Sequence, residues 1–369
     1  MDASGSMMPL PSTLDSRMDD QSSEGVVGID IGGANLKYAV TSRESHSRFF
    51  PMWQKSEQLA DAIAEDLVSR FSHAPIKQLA VTMTGELADC FVDRAEGVRH
   101  IVSQTRQAAE RLAIANVKFY GVDGTFHESD DACRAVDTIA AANWHALAQW
   151  VATAISPDAT LIDIGSTTTD IIPISDGRVA TQAQTDFDRL RDGSLVYVGC
   201  RRTPVCSLVD HLLVHEQEVP IMREHFATMD DVMLLLNHTS EFAEDCDSAD
   251  GKPRTQEYAA NRLSRMVGLD RRSVSITEAR RLAAQVLDAA RRLVHEGVQR
   301  VGLSSKIVLS GHGPALVEIP SGVETISLAD RLGRDLARSA PAYAVAELRR
   351  MELEDAASQA TQDGILGGR

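Results

Sequence analysis

The chain has 369 residues, a formal net charge of −16 and a hydrophobic fraction of 43%. That length exceeds what one compact core usually covers, so two lobes are expected, and a surface this acidic repels a phosphate backbone and excludes nucleic acid as a partner while leaving anion binding inside a cleft open to local backbone dipoles. No uninterrupted apolar run approaches the roughly 18 residues of a spanning helix, so no membrane partner is expected.

Residues 1–24 are rich in Met, Ser, Asp and Pro, with no apolar block and no basic cluster, and read as a disordered tail rather than a leader; Met18 is an alternative start. Residues 26–31 (VVGIDI), the pair Gly32-Gly33 and residues 36–40 (LKYAV) read as a β-hairpin with a tight glycine turn. Leu59, Ile63, Leu67 and Phe71 fall on one face of a helix over 56–71. A strand at 78–83, a loop (TGELADCF), a helix around 94–114, a strand at 116–121 and a long Ala-rich helix at about 130–155 follow.

At 160–174 the opening pattern returns: an apolar run ending in glycine (TLIDIG), a small polar turn (STTTD) and a second apolar run (IIPI). Two copies of one device argue for an internal duplication, with two related lobes and a cleft between them. Residues 25–130 plus 335–360 are assigned to lobe I, and 131–334 to lobe II. Within lobe II, 195–200 (LVYVGC) reads as a strand and 206–270 as a mostly helical insertion broken by the acidic loop 244–253, which is either solvated or functional. An amphipathic helix at 277–300, a buried strand at 306–310 running into GHGPAL, a turn that can open a helix, and a last helix at 339–353 before a frayed Gly-Gly-Arg end complete the chain.

Glycines in the first turn let backbone amides approach an anion, and successive amides in such a turn form an anion nest. Asp30, at the strand end, can hold a hydrated cation or orient a nucleophile, and Asn35 or Lys37 can add a donor; an ordinary hairpin with a solvated Asp is the competing reading. The second turn, Asp163 to Asp170, offers the same amides plus the hydroxyls of Ser166, Thr167 and Thr168. Glu86 and Asp89 either cap the following helix or serve as carboxylate bases. Arg201 and Arg202 can clamp a phosphate or a carboxylate, against the competing reading of plain surface arginines. His312 is a candidate for the cleft wall, while Trp53, Trp144 and Trp150 are expected in the core. Cys90, Cys133, Cys200, Cys206 and Cys246 form no CxxC pair. Reduced thiols in a cytoplasm are therefore the default, a zinc site is disfavoured, and Cys90 and Cys206 read as small buried hydrophobes rather than nucleophiles.

The two hairpins and the third glycine turn, Leu309-Ser310-Gly311-His312-Gly313-Pro314, in this order resemble the phosphate-one, phosphate-two and adenosine motifs of the actin-like superfamily, which implies a two-lobed, duplicated α/β fold with an interlobe cleft. Within it, GIDIGGANLKYA (28–39), VTMTGELADCF (81–91), LIDIGSTTTDIIPI (161–174), LVYVGCRRTPVC (195–206) and DCDSADGKPRTQEYAANRLSRMVGLD (245–270) resemble the hydantoinase A/oxoprolinase branch. More narrowly, they are similar to the tetrahydromethanopterin-linked C1-transfer pathway proteins, relatives of the methanofuran-biosynthesis synthase that joins an aminomethylfuran to glutamyl-tyramine. The family's usual Val before RRTPVC is Cys200 here, a small apolar exchange.

The resemblance implies displacement of pyrophosphate from a furanylmethyl diphosphate by a phenol oxygen. Such a site stabilises the departing diphosphate. The expected holders are the amides of Gly32, Gly33, Gly165 and Ser166, the hydroxyls of Thr167 and Thr168, Asn35, Lys37, Arg201 and Arg202, and the turn of Gly311 and Gly313. Asp30 and Asp163 are expected to position Mg²⁺, and Glu86 or Asp89 to take the phenol proton. An ATP-dependent kinase or hydantoinase-like hydrolase is the alternative, and a nucleotide-dependent scaffold a third; use of ATP and homo-oligomerisation are left open.

Overall fold

Alternating apolar runs and tight turns give two sheets, each opening on a hairpin. The computed structural model describes residues 25–366, and the tail expected at 1–24 and the frayed end expected at 367–369 lie outside them. The first sheet holds β1 (Val26–Ile31), β2 (Asn35–Val40), β3 (Ser45–Phe49), β4 (Gln78–Met83), β5 (Asn116–Tyr120) and β6 (Phe126–His127), in the order β3-β2-β1-β4-β5-β6. The second is built from β7 (Ala159–Ile164), β8 (Thr169–Ser175), β9 (Arg178–Val179) and β10 (Leu195–Val196). A separate hairpin, β11 (His211–Val214) and β12 (Gln217–Pro220), precedes β13 (Lys306–Gly311) and β14 (Glu324–Ser327). The second sheet runs β10-β8-β7-β13-β14, with β9 on β8. In both, the hairpin is antiparallel and the next two strands run parallel to its first member. This repeated order is the duplicated actin-like α/β arrangement.

Leu59, Ile63, Leu67 and Phe71 are all buried, as their spacing requires, on the helix Leu59–Phe71. That helix and Arg94–Arg111 cover one face of the first sheet. Ile276–Val301, with a Ser275 capping box at its start, covers the outer face of the second with Met229–Leu235 and Gln256–Arg265. Between the sheets lie Asn143–Ala154 and Ala340–Leu366, whose small side chains Ala146, Ala340, Ala342 and Ala344 pack with Leu161, Ile172 and Val308 into one cluster shared by both lobes. A Cβ on Gly28 would overlap the Ala342 carbonyl, so β1 sits directly on the last helix.

Several expectations need correction. The Ala-rich stretch at 130–155 is three helices, Ser129–Arg134, Val136–Ile139 and Asn143–Ala154, because the backbone leaves the helical region at Ala135 and turns at Ala141 with φ 49°. Only Leu195–Val196 of 195–200 is strand; the rest bends to reach the second turn. Residues 206–270 are not mostly helical: they hold the β11–β12 hairpin, two short helices and an ion-paired loop. GHGPAL opens only the single 3₁₀ turn Pro314–Leu316. Trp144 and Trp150 are core, but Trp53 is 37% exposed, and Cys90 is exposed rather than buried. Among the described residues no helix is long and apolar enough to cross a membrane.

Candidate active site between the two hairpin turns

The two turns close identically. The Gly32 amide donates to the Asn35 carbonyl and the Gly165 amide to the Thr168 carbonyl, each at 2.9 Å. This corrects one expectation: the amides of Gly32 and Gly165 hold the turns together rather than a ligand. The next amides, of Gly33 and Ala34 and of Ser166 and Thr167, donate to no acceptor among the described residues. Nothing lies within 4 Å of a Cβ built on Gly33, so that turn is open to an anion.

The surrounding glycines fix the second turn. A Cβ on Gly199 would overlap the backbone of Ser166 and Thr167, one on Gly311 the Ile164 backbone, and one on Gly313 the side chains of Ile164 and Cys200. Protein fills the space a side chain would take at Gly311 and Gly313, so packing requires glycine at both places, and the Gly313 amide donates to no acceptor among the described residues. The His312 amide donates to the Ile164 carbonyl at 3.0 Å. Burial, joined by the charges of Lys37, Arg338 and Arg201, lowers the His312 imidazole to about 4, so it stands neutral between the lobes.

Asp30 and Lys37 pair in the first hairpin register, and Asp163 and Asp170 occupy the matching places in the second. Asp30 is 3% exposed; Lys37 Nζ donates to its Oδ2 at 3.4 Å, and its Oδ1 is buried without a partner. Burial raises the Asp30 pKa, against the pull of Lys37. Burial also raises Asp163 to about 6, with Asp170 and Asp30 adding repulsion and the nearby Ser310 hydroxyl and Lys37 opposing it. The Ser310 hydroxyl nonetheless lacks a partner at hydrogen-bond geometry, so its hold on Asp163 is weak. Asp30 and Lys37 act on Asp163 from the other sheet, and the two turns are linked in space: Arg202, whose amide donates to the Ser166 carbonyl, lies over the ring of Trp53, next to Met52, whose amide donates to the Gly33 carbonyl.

Arg201 and Arg202 divide their roles. Both amides donate to the Ser166 carbonyl, at 3.1 and 2.8 Å. The Arg201 guanidinium is held by Asp245 at 3.2 Å and Asp247 at 3.0 Å, in the loop 244–253. Arg202 lies over the Trp53 ring across the cleft. Neither Glu86 nor Asp89 caps the following helix; Asp93 does, accepting from the Glu96 amide at 2.8 Å. Asp89 is exposed, while Glu86 is buried and raised to about 7, chiefly by desolvation.

Sequence reasoning missed Trp53, Asp170, Asp186 and Arg189. Arg189 is buried, donates to Asp170 at 2.5 Å and covers the Trp144 ring at 4.1 Å. The repeat itself was the available signal for Asp170, since it stands where Lys37 stands in the first copy. A separate groove of about 500 Å³, lined by Arg43, His46, Arg70 and Leu332 among others, lies by the β2–β3 turn at the far end of the sheet from this cleft.

A duplicated fold whose two halves each open on a hairpin turn with unengaged amides and a carboxylate at its root defines a protein of the actin-like class. The chain belongs to the hydantoinase/oxoprolinase family, whose model matches residues 78–352. It is 34% identical over 337 residues to the (4-{4-[2-(gamma-L-glutamylamino)ethyl]phenoxymethyl}furan-2-yl)methanamine synthase of Methanocaldococcus jannaschii, covering 89% of this chain and 98% of that one. It is also 34% identical over 217 residues to the synthase of the same name from Methanococcus vannielii, covering 56% of this chain and 97% of that one. The protein is an enzyme, as its relatives are synthases. Among solved structures, nucleotide-free acetone carboxylase matches at a TM-score of 0.49 with 10% identity, covering 87% of this chain and 70% of that one.

Proposed function

We propose that the protein is a transferase that joins a furanylmethyl diphosphate to the phenol oxygen of a tyramine- or tyrosine-type acceptor, with release of pyrophosphate. This places it in the assembly of methanofuran or an analogue, serving tetrahydromethanopterin-linked C1 metabolism in the cytoplasm. The observation that carries the reading is the pair of facing turns with unengaged amides at Gly33, Ala34, Ser166 and Thr167. The names of the relatives support it, since the product they specify contains an aryl ether between a phenol and a furanylmethyl carbon.

In the proposed reaction the bond from the furanylmethyl carbon to the diphosphate oxygen breaks as the phenol oxygen bonds to that carbon. A furanylmethyl carbon carries positive charge well, so most of the barrier lies in charge developing on the leaving group. The four amides, the Thr167 and Thr168 hydroxyls and the Arg202 guanidinium meet that charge, and Lys37 adds a cation beside Asp30. The phenol keeps its proton until late in so loose a displacement, and the departing diphosphate takes it.

Mg²⁺ fits the residues present. Asp30 has a buried oxygen without a partner, and Asp163 sits across the cleft. Among the described residues no three His, Cys, Asp or Glu side chains converge on one point. Two carboxylates suffice for Mg²⁺, which usually completes its shell with phosphate oxygens and water. Bound there, it would supply charge to the diphosphate.

The test is the purified protein with an aminomethylfuran methyl diphosphate, γ-glutamyl-tyramine and Mg²⁺. Ether and pyrophosphate are expected in equal amounts without ATP. Absence of pyrophosphate release, with ATP turnover instead, overturns the proposal in favour of a kinase or hydrolase.

A further inference from the structure

We infer that Trp53 is a catalytic residue. The face of its indole takes the positive charge that develops on the furanylmethyl carbon, once the Arg202 guanidinium now lying over that ring has moved to the diphosphate. The nature of that charge rests on the transferase reading; the cation platform beside an anion-binding turn does not.

Trp53 differs from the other tryptophans. Trp144 and Trp150 are buried, whereas Trp53 is 37% exposed. It stands in the single helical turn Met52–Lys55, which is fixed from two sides. The Met52 amide donates to the Gly33 carbonyl at 2.9 Å, and the Cys90 thiol donates to the Met52 carbonyl at 3.4 Å. Just before it, the Phe50 amide donates to the Ala34 carbonyl at 2.9 Å. Gly33 and Ala34 are the residues whose own amides are unengaged. The indole is thus built onto the backbone that is left open to an anion.

A cation already sits on it. The Arg202 guanidinium lies 5.7 Å from the ring centre, within the range of a cation–π contact. Its neighbour Arg201 shows the usual fate of an arginine in a chain of net charge −16, pairing with Asp245 and Asp247. Arg202 has no ion pair and no side-chain hydrogen bond among the described residues, so its donors are uncommitted. Its amide is bonded to the Ser166 carbonyl at 2.8 Å. The side chain therefore starts from the second turn and ends on the ring carried by the first.

A charge-assisted hydrogen bond to phosphate is stronger than an exposed cation–π contact, so a diphosphate held by the turns takes the guanidinium and bares the indole face. The reaction then supplies a second cation. As the bond from the furanylmethyl carbon to the diphosphate oxygen breaks, its electron pair goes to the diphosphate and the carbon becomes positive. Of the aromatic side chains, an indole attracts a cation most strongly, and the attraction grows as water is excluded. The phenol oxygen gives an electron pair to that carbon, its proton passes to the departing diphosphate, and the positive charge is gone. Arg202 meets the anion that leaves and Trp53 the cation that stays. An attraction realised only as charge develops raises kcat rather than lowering KM.

Fluorescence of the full chain follows the first step, since Trp53 is the exposed one of its three tryptophans. Inorganic pyrophosphate is expected to change the emission of the parent and not that of Trp53→Phe. Unchanged emission while calorimetry shows pyrophosphate bound means that the guanidinium stays on the ring, and overturns the proposal. Furfuryltrimethylammonium, with a fixed charge next to the furanylmethyl carbon, and its uncharged isostere neopentylfuran test the second step. With pyrophosphate present, the cation is expected to bind about tenfold more tightly to the parent than to Trp53→Leu, and the isostere equally to both. Pyrophosphate binding by Trp53→Leu shows that the variant folds. A preference for the cation that survives Trp53→Leu overturns the platform. In turnover, fluorinated indoles introduced at Trp53 alone, with one, two and three fluorines draining charge from the ring face, are expected to lower kcat stepwise and to leave KM for the donor within about twofold. A flat series makes Trp53 a structural contact and overturns the catalytic role. Should no donor react, the transferase reading fails while the ammonium titration still decides the platform.

Discussion

The guanidinium of Arg202 lies 5.7 Å from the centre of the Trp53 ring, on the opposite lobe. Trp53 follows Met52, whose amide donates to the Gly33 carbonyl at 2.9 Å, and the Arg202 amide donates to the Ser166 carbonyl at 2.8 Å. The pair therefore links the two turns at the cleft mouth. An exposed cation–π contact contributes only about 0.5–1 kcal/mol, so a diphosphate readily draws the guanidinium away.

The first prediction follows from that imbalance. A hydrogen bond to a charged group contributes about 1.5–3 kcal/mol, and 1.4 kcal/mol is tenfold in affinity. Arg202→Ala is expected to weaken pyrophosphate binding roughly 10- to 100-fold by the same figures. Arg201→Ala is expected to weaken it much less, because Asp245 and Asp247 already hold that guanidinium. Titration of both variants with pyrophosphate checks the ranking; equal losses contradict it.

A second prediction concerns Asp163. Its folded pKa, near 6, lies above the unfolded value of about 3.8, because burial and Asp170 disfavour the charged form. The folded state then holds the extra proton between those values, so this group's contribution to stability is full below about pH 3.8 and is lost as pH rises through 6. Asp163→Asn removes the charge. It is expected to raise Tm at pH 7, by up to about 2 kcal/mol in stability, and to leave Tm at pH 4 nearly unchanged, while transfer activity falls by at least about 100-fold. Thermal melts at the two pH values test it; a variant less stable than the parent at pH 7 argues against a strained carboxylate.

How much of this was readable in the sequence depends on distance along the chain. The Asp-Ile-Gly repeat gave the duplication and the two turns, because hairpin chemistry is local. That Gly32 and Gly165 use their amides to close those turns was not legible, since glycine permits either use. Glu86 and Asp89 look equivalent in TGELAD, yet one is buried against Gly97 of the helix Arg94–Arg111 and the other exposed. Trp53 looks like a core residue by type alone, and only the partner across the cleft makes it a surface one. The break at Ala141 left no mark in an Ala-rich stretch of uniformly high helix propensity, because tertiary contacts impose it.

The glycines separate fold from site experimentally. Gly33→Ala adds a methyl group to open space, so stability is expected to stay within about 0.5 kcal/mol, while pyrophosphate affinity falls because the methyl stands where the anion approaches. Gly199→Ala drives a methyl into the Ser166–Thr167 backbone and is expected to lower Tm by several degrees. Unchanged pyrophosphate binding in Gly33→Ala means that the first turn does not hold the ligand.

The acidic loop 244–253 reads differently once its partners are seen. Arg262 is fully buried, with Asp231 at 2.6 Å and Asp250 at 3.0 Å, and Arg254 grips Asp230 at 2.5 Å and Asp245 at 2.9 Å. Asp245 in turn holds Arg201, which hydrogen-bonds to the second turn. The loop is thus a rigid strut from the buried helix Gln256–Arg265 to the Ser166 carbonyl. Removing one member of a buried pair strands its partner and costs about 3–5 kcal/mol. Arg262→Ala is therefore expected to unfold the lobe or lower Tm sharply, whereas Asp247→Ala, whose carboxylate is exposed, is expected to leave Tm unchanged. Asp245→Ala lies between: it frees Arg201 and loosens Arg254 together, so it is expected to lower Tm moderately and to raise KM for the diphosphate donor without touching the ligand. A stable Asp245→Ala enzyme with unaltered KM contradicts the strut.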